Sequence, residues 1–443
     1  MFRLTSFLLL LQLLGTCSLF SQTLEKDPQP LTIEECANIS LKQNLTLLAK
    51  KYDVDIAKAD EIQAGLYRNP SFSALSSLNP FGKNYNQSST GGPRQLDLLL
   101  NVPLDLSSKI KSGKRKAQTW TYISEVMLEA AFREVAYQTR VAYLELVLKE
   151  NVLQLLRDRE INLQRLAKTI QNRIGGSGIQ PLLLTRAQLA VESASIDTQV
   201  AVVDVETARR ALALLLGKEG SPDLVPLTKL RDVQLEDPPK YDEIIETVKE
   251  DYPNLQALRL AVDFSENQIT AAQAQVWDDF TLFGGVSRQS GVDAYPKALP
   301  NSGYPMETGI PGQSSWALGV IIPLPSLNRN QGNIRKARVI KEQATVYYRA
   351  AEITLEKEVK TLIQGMLLNK NIIQQIESSQ LPKAQKVLNN QQRLFGTGGA
   401  NLLEYFDAVN AYNGTLMTYY KAVADYRKNR AKLESYLNKG IRP

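Results

Sequence analysis

The sequence predicts a mixed α+β membrane protein in which a series of helix, strand, strand, long helix and helix occurs twice. Three observations support this prediction. The chain opens with a short apolar leader, its second half repeats the pattern of its first, and each half joins two short alternating segments to a helical pattern of unusual length. We expect three chains together to form a 12-stranded β-barrel that continues into a long α-helical barrel.

Composition narrows the function before any motif is considered. Of the 443 residues, 43% are hydrophobic and 22% are charged, which is typical of a packed protein. Histidine is absent, which excludes a Ser-His-Asp or Cys-His nucleophile and any histidine-ligated zinc or haem. The net charge of +6 is mild and no basic patch contains interleaved aromatic residues, so nucleic acid is not an expected partner. We expect no catalytic site, no cofactor and no bound metal.

The first residues have the pattern of a secretory signal peptide. Arg3 precedes an apolar run from Phe7 to Leu14, and small polar residues follow. We predict a signal peptide over residues 1–22, which is too short to span a membrane as a helix. The residues that end at Cys17 also resemble a lipoprotein box, so lipidation of Cys17 stays open. Because no later run reaches about 18 apolar residues, any membrane crossing should be made by strands of a closed barrel.

The chain repeats its own pattern about 210 to 220 residues further on. Asn44 to Ser73 aligns without gaps on Asn254 to Phe283, and later matches, such as Pro103 with Pro323, keep the same order. We therefore predict a first repeat, a proline-rich connector and a second repeat, at residues 31–217, 218–239 and 240–438.

Each half is predicted to contain the same elements in the same order. A segment with helical periodicity comes first, over Leu31 to Arg68 and again over Tyr241 to Asp278. Two strand-like segments follow in each half, separated by a loop rich in Gly, Pro, Asn and Ser. We place these strands at Ser71–Leu78, Gln95–Leu104, Phe280–Arg288 and Ser315–Leu324.

Long helical patterns follow the strands. The first runs from about Ser108 to Arg173 and its copy from about Asn333 to Arg393. At about 1.5 Å per residue the first would be on the order of 100 Å long, more than an ordinary globular core needs. Pro382 should kink the second. Glycine clusters end both patterns, and return helices are predicted at Pro181–Leu216 and Asn401–Asn438.

The strand-like segments alternate as strands with two different faces do. Each is about as long as the roughly 9–11 residues of a tilted transmembrane strand. A soluble four-stranded sheet would alternate in the same way, but the leader and the long loops favour a membrane barrel. Eight strands would enclose only side chains, whereas 12 leave a conduit, so we expect a homotrimer. Asp97 and Asn101 are candidates for the lumen, and Trp316 either belongs to an aromatic belt or packs internally.

Five stretches of the chain carry a family resemblance. They are "LTIEECANISLKQN" at the start, "NVPLDLSSKIKSGKRKA" and "IIPLPSLNRNQGNIRKA" where strands meet helices, and "RIGGSGIQPLLLTRAQ" and "RLFGTGGANLLEYFDAV" where helices turn back. Together they resemble the TolC-like outer-membrane efflux proteins, or outer membrane factors, over about Leu31 to Asn438. The second junction is nearest in pattern to the CzcC-type members, which belong to heavy-metal efflux systems.

The resemblance implies a homotrimeric channel in the outer membrane of a Gram-negative-type bacterium, surrounded by lipid and extending into the periplasm. It also implies docking onto a periplasmic adaptor protein and an inner-membrane pump of the resistance-nodulation-division class. The channel would conduct small solutes, such as metal cations or drugs, passively. The pump would supply the energy.

The resemblance also implies roles for particular residues. The hairpin tips match the region that the adaptor contacts; they comprise Gly175, Gly176, Ser177, Gly178, Gly396, Thr397, Gly398 and Gly399. Glu404 and Asp407 match an acidic ring at the periplasmic entrance, and Phe395 matches an aromatic gate residue that is often Tyr. Two ordinary solvated carboxylates on one helix face remain the alternative for Glu404 and Asp407.

Two other functions stay open at this point. The same architecture serves as a duct for secreted proteins or peptides. Long helices with coiled-coil spacing also occur in periplasmic scaffolds or lipoprotein adaptors that do not enter the membrane. The sequence contains no nucleophile with a base and no metal-ligand cluster, so an enzyme is not expected.

Overall fold

A computed structural model describes residues 30–77, 95–173, 181–218, 224–227, 230, 235–289, 312–397 and 401–437. Its first half contains a two-residue strand, two helices, two strands, a long helix and a return helix. These are β1 Pro30–Leu31, α1 Ile33–Gln43, α2 Leu45–Ala64, β2 Ser71–Ser77, β3 Gln95–Leu104, α3 Lys109–Arg173 and α4 Pro181–Leu215. At 65 residues, α3 is about 98 Å long.

The second half has the same order of elements, with one interruption. These are β4 Val225–Pro226, α5 Tyr241–Asp251, α6 Pro253–Ala274, β5 Phe280–Gln289, β6 Gln313–Ile321, α7 Gln331–Gln375, a π turn at Ile376–Gln380, α8 Leu381–Thr397 and α9 Leu402–Tyr436. The kink predicted at Pro382 agrees with the structure, because the π turn ends at Gln380 and α8 begins one residue before this proline. The proposed repeat and connector boundaries remain a prediction.

Each opening helical segment was predicted as a single helix, and this prediction is wrong. The first breaks at Asn44, whose Oδ1 accepts from the Leu47 N–H at 3.1 Å and whose Nδ2 donates to the Leu215 carbonyl at 3.1 Å. The amide therefore begins a new helix and ties it to the end of α4. The second breaks at Tyr252, because Pro253 starts the next helix and cannot continue the previous one.

The strands form one antiparallel sheet of four, in the order β2–β3–β5–β6. The strand predicted to end at Leu324 ends at Ile321, since Pro323 cannot donate to a ladder. A second, parallel pair joins β1 to β4, where the connector returns to the start of the chain. Sequence reasoning missed this pair because each strand has only two residues.

The helices extend the order of the sheet. Next to the sheet, α2 packs on α3, α3 on α6, and α6 on α7. Towards the far end, α4 packs on α3, α3 on α9, and α9 on α7 and α8. In the described part of the chain, each layer is therefore four elements wide. One edge consists of β2, α2 and α4, and the other of β6, α7 and α8.

The largest cluster of buried side chains lies midway along the long helices. It joins α3, α4, α7 and α9 to the connector through residues such as Tyr143, Leu230, Val359 and Tyr426. A smaller cluster fills the far end. None of the described helices is long and apolar enough to cross a membrane.

Candidate functional site

The register of the sheet separates a polar face from an apolar one. Residues paired across antiparallel strands lie on the same face. The row through Asp97 contains Leu75, Ser287 and Ser315, and the row through Asn101 contains Ser71, Phe283 and Gly319. On the opposite face, two neighbouring rows are apolar and contain Ala74, Leu98, Val286 and Trp316, and Phe72, Leu100, Gly284 and Leu318. The Leu96 row beyond them, with Ser76, Arg288 and Ser314, is polar.

The apolar face is exposed in a single chain. Trp316 is 79% exposed and Leu318 68% exposed, although neither has a charged neighbour across the strand. On the polar face, the Phe283 ring lies directly against Gly319. A Cβ at this position would come within 2.5 Å of the ring, so the contact requires glycine. The sheet can thus present one side to an apolar medium and the other to water.

The junctions between strand and helix are built from local polar contacts. Asp105 starts α3 by accepting from the Lys109 N–H at 3.0 Å and the Ile110 N–H at 2.8 Å. Before α7, Asn330 adopts a left-handed conformation with φ 55°, and its side-chain amide donates to the Ala272 carbonyl at 2.8 Å. The abrupt change from strand to helix is therefore held by side chains at the turn.

An ion-pair cluster links the two halves at the same level. The Asp279 carboxylate lies 2.6 Å from Arg68 Nη1 and 2.6 Å from Lys109 Nζ. Arg68 follows α2, Lys109 begins α3, and Asp279 precedes β5. The cluster also lines a cavity of about 450 Å³ with Asp105 and Asn330.

The predicted gate residues lie at the start of α9. Asn401 begins this helix by accepting from the Leu403 N–H at 3.3 Å. Glu404 and Asp407 are both exposed, and their separation of one helical turn places them on the same face. Phe395, by contrast, is half-buried and packs against Tyr405, with ring centroids 5.8 Å apart. Burial raises the pKa of Tyr405.

The structure therefore places the two carboxylates on one exposed helix face and leaves Phe395 half-buried. Phe395 belongs to the far-end cluster with Leu166, Ala187 and Val409, which holds both hairpins together. Its ring has no hydroxyl to form a latch, and its position suits packing.

Comparison with known proteins shows what the chain is similar to. The model of the family described as outer membrane efflux protein matches residues 244–439, which make up most of the predicted second repeat. Over these residues the chain is similar to the outer membrane efflux proteins. The resemblance to TolC-like channels is thereby confirmed, and the family lies in the outer membrane and extends into the periplasm.

Individual relatives match most of the chain. The cobalt-zinc-cadmium resistance protein CzcC of Cupriavidus metallidurans is 21% identical, over 86% of this chain and 83% of its own. The probable outer membrane lipoprotein SilC of Salmonella typhimurium is 23% identical, over 94% and 86%. A crystal structure of CusC superimposes with a TM-score of 0.72 at 20% identity, over 91% of both chains, which shows a shared fold.

Several predicted sites of this chain lie outside the described residues. They are the signal peptide, Cys17, the first tip at Gly175, Gly176, Ser177 and Gly178, and Gly398 and Gly399 of the second. Gly396 and Thr397 are described and exposed at the end of α8. Among the described residues, no group of three or more Cys, Asp or Glu side chains could hold a metal ion.

Sequence reasoning missed a row of tyrosines on α9. Tyr405, Tyr412, Tyr419 and Tyr426 recur every seven residues, and this spacing was the available signal. The Tyr419 hydroxyl donates to the Glu377 carboxylate at 2.7 Å, and the Tyr426 hydroxyl donates to the Glu236 carbonyl. This row fastens α9 to the π turn and to the connector.

Proposed function

We propose that this protein is the exit channel of a tripartite efflux system, which passively conducts small solutes out of the cell. The observation that carries the proposal is a sheet with one apolar and one polar face that continues into long helices, of which α3 is about 98 Å long. A helical tube of this length reaches well beyond a bilayer of about 40–45 Å. Similarity to the outer membrane efflux proteins supports the same function.

A homotrimer follows from the two open edges. In the described chain, β2 and β6 each pair with a neighbour on one side only. Joining β6 of one copy to β2 of the next is a head-to-tail contact, which closes into a ring. Three copies would supply 12 strands, enough for an open conduit with no free edge.

The helices at these edges carry apolar seams for the same contact. Leu182, Leu189, Ile196 and Val203 recur every seven residues on α4, and each is more than half exposed. Val339, Val346 and Ile353 do the same on α7. The distance of each helix from the sheet determines which helices meet. In the assembled trimer, α2 of one copy would pack against the first part of α7 of the next copy, and α4 would pack against α8 of that copy. Such spacing is typical of helices that pack along a coiled-coil seam.

In this trimer the polar face of the sheet lines the lumen, with Asp97 and Asn101, and the apolar face with Trp316 contacts outer-membrane lipid. Glu404 and Asp407 of three chains form the acidic ring of the periplasmic gate. Phe395 supports the gate by packing behind it. An acidic ring favours cations over anions.

The family resemblance also suggests the partners and the cargo of this channel. The tips around Gly175–Gly178 and Gly396–Gly399 would dock a periplasmic adaptor, which connects to an inner-membrane pump of the resistance-nodulation-division class. The names of CzcC and of the cation efflux protein CusC point to metal cations as cargo. SilC is named as a probable lipoprotein, which supports lipidation of Cys17.

The alternatives have less support. The relatives CzcC and CusC are named as resistance and cation efflux proteins, which favours small solutes over secreted proteins. In a periplasmic scaffold that does not enter the membrane, the wide apolar face of this sheet would be exposed to water, which is unfavourable.

Planar-bilayer recording and a deletion strain test the proposal. The purified protein should form cation-preferring channels, and deletion of its gene should sensitise cells to cobalt, zinc or cadmium. Release of the protein from membranes without detergent, or a lack of conductance, would contradict the channel.

The proposed gate residues Glu404 and Asp407 allow a more specific test. Glu404→Gln combined with Asp407→Asn should reduce cation preference and raise single-channel conductance, because the carboxylates are removed from the narrow end. The control is Asp242→Asn with Glu342→Gln, which removes two exposed carboxylates far from the tip. Equal selectivity and conductance in both double variants would dismiss the gate assignment.

A further inference from the structure

The two long helical hairpins differ at one place. In the first half, α3 continues for 65 residues without a break. In the second half, the corresponding helix is interrupted by the π turn at Ile376–Gln380 and by Pro382. π turns and prolines are the usual causes of a local bend in a helix. Within the turn, the Ser378 hydroxyl donates to the Gln374 carbonyl at 2.6 Å, a contact that also favours bending.

The segment beyond the turn is weakly packed within its own chain. No residue of α8 is fully buried, whereas Leu163, Leu166 and Ile170 at the same level of α3 are. The residues 220 positions after these three are Lys383, Lys386 and Asn390. Apolar anchors in the first hairpin are thus replaced by polar residues in the second. Helices with few buried apolar contacts are the ones that move at low cost.

The helix before the turn is held firmly. Met366 and Ile373 are buried at 2% exposure or less, as is Ile376, the first residue of the turn itself. Lys370 forms an ion pair with Asp237 of the connector. On the neighbouring helix α9, the Tyr426 hydroxyl donates to the Glu236 carbonyl, so the connector also anchors this level of α9. The change from fixed to loosely held structure coincides with the π turn.

A side-chain hydrogen bond joins the turn to the return helix. The Tyr419 hydroxyl donates to Glu377 Oε1 at 2.7 Å, and Tyr419 itself is only 5% exposed. The donor lies on α9, some three turns above Asp407, and the acceptor lies in the turn. This hydrogen bond therefore constrains the angle between the turn and the helix that carries the proposed gate.

We propose that the π turn Ile376–Gln380 is the hinge about which α8 and the tip of α9 swing, and that the Tyr419–Glu377 hydrogen bond is the latch that holds the closed position. The inference rests on the proposed channel function. Opening breaks the latch and moves α8 away from α4 of the next copy, while α7 stays fixed to the connector. The first hairpin remains rigid throughout.

Tyr419→Phe tests the latch because it removes the hydroxyl and keeps the buried ring. We expect the open probability in planar bilayers to rise about ten-fold, the effect of losing one hydrogen bond to a charged group. Glu377→Ala, which removes the acceptor, should have the same effect. Glu377→Gln is the matched control, since its amide oxygen still accepts from Tyr419 and the channel should remain closed as in the wild type.

Spin labels measure the hinge independently of conductance. A label on the exposed Lys386→Cys of α8 should show a broadened distance distribution between copies in Tyr419→Phe. A label on the exposed Lys357→Cys of α7 should not change. The native Cys36 is buried, and burial raises its thiol pKa to about 11, so it should not compete for the label.

The outcomes separate the hinge from the channel function. If the wild type conducts but Tyr419→Phe changes neither open probability nor the Lys386 distances, the hinge is wrong and the channel stands. If equal broadening occurs at Lys357, the whole hairpin moves and the hinge is also wrong. If the wild type never conducts, the proposed function fails, and the label distances alone decide the hinge.

Discussion

At the scale of single residues, the buried Arg133 on α3 holds the ends of two neighbouring helices. Arg133 Nη1 donates to the carbonyls of Asp251 at 2.9 Å and Tyr436 at 3.4 Å, which are the last residues of α5 and α9. A second nitrogen pairs with Glu129. A cation at two helix C-termini satisfies carbonyls that have no partner in the helix and complements both dipoles.

Replacing this arginine should therefore loosen two helix ends at once. We expect Arg133→Met to lower the free energy of unfolding by about 2–3 kcal/mol, because buried carbonyls lose a charged donor. The control is Arg157→Met, which removes an exposed arginine from the same helix. Thermal unfolding followed by circular dichroism would measure both, and an equal loss in both variants would show that Arg133 has no special role.

At the scale of the element, α3 depends on a cap that the sequence signals only indirectly. Asp105 is partly buried, which raises its pKa, but N–H donors from Ile110 and Lys109 and the hydroxyl of Ser107 outweigh this effect. The net pKa is lowered from its ordinary value of 3.8. Its carboxylate therefore stabilises the start of the longest described helix.

The lowered pKa of Asp105 sets the sign of a pH effect. The contribution of the carboxylate is fully present above the ordinary pKa of 3.8 and is lost as the pH falls through the lowered folded value. Asp105→Ala should cost about 1–2 kcal/mol at neutral pH, and this difference should shrink in acid. Asp105→Asn keeps an acceptor without the charge, so its stability relative to Asp105→Ala should not change with pH. A pH-independent loss in Asp105→Ala would contradict the assignment.

At the scale of the whole molecule, the two open edges determine how the chain can assemble. The order β2–β3–β5–β6 in the sheet continues in the helical layers, so the same half of the chain lies at the same edge from one end to the other. An exposed apolar edge of this length is stable only when another surface covers it. The two edges differ, so a second copy can cover each without a two-fold interface.

A charge placed in one seam should therefore prevent assembly. Ile196→Glu would bury a carboxylate without a partner between copies, and we expect the trimer fraction in detergent to fall at least about ten-fold. Gln171→Glu adds the same charge at an exposed position of α3, a helix with neighbours on both sides. Native mass spectrometry would give both fractions, and a trimer that tolerates Ile196→Glu would rule out the α4 seam.

Elements whose signal is local were predictable from the sequence. The alternation in β3 and β6, the span of α3 and the break at Pro382 all follow from side chains within one segment, and the structure confirms them. The breaks at Asn44 and Tyr252 were missed because apolar periodicity continues across them. The break at Asn44 depends on its contact with Leu215, 171 residues away.

By itself, the sequence determined the order of elements, the two faces of the strands and the family, because periodicity, proline and repeated motifs act over a few residues. Only the tertiary structure decided that Phe395 packs half-buried against Tyr405, that Tyr419 reaches Glu377, and that no residue of α8 is fully buried. These features depend on which distant helices become neighbours. That choice is made by packing over the whole length of the molecule, and no short segment encodes it.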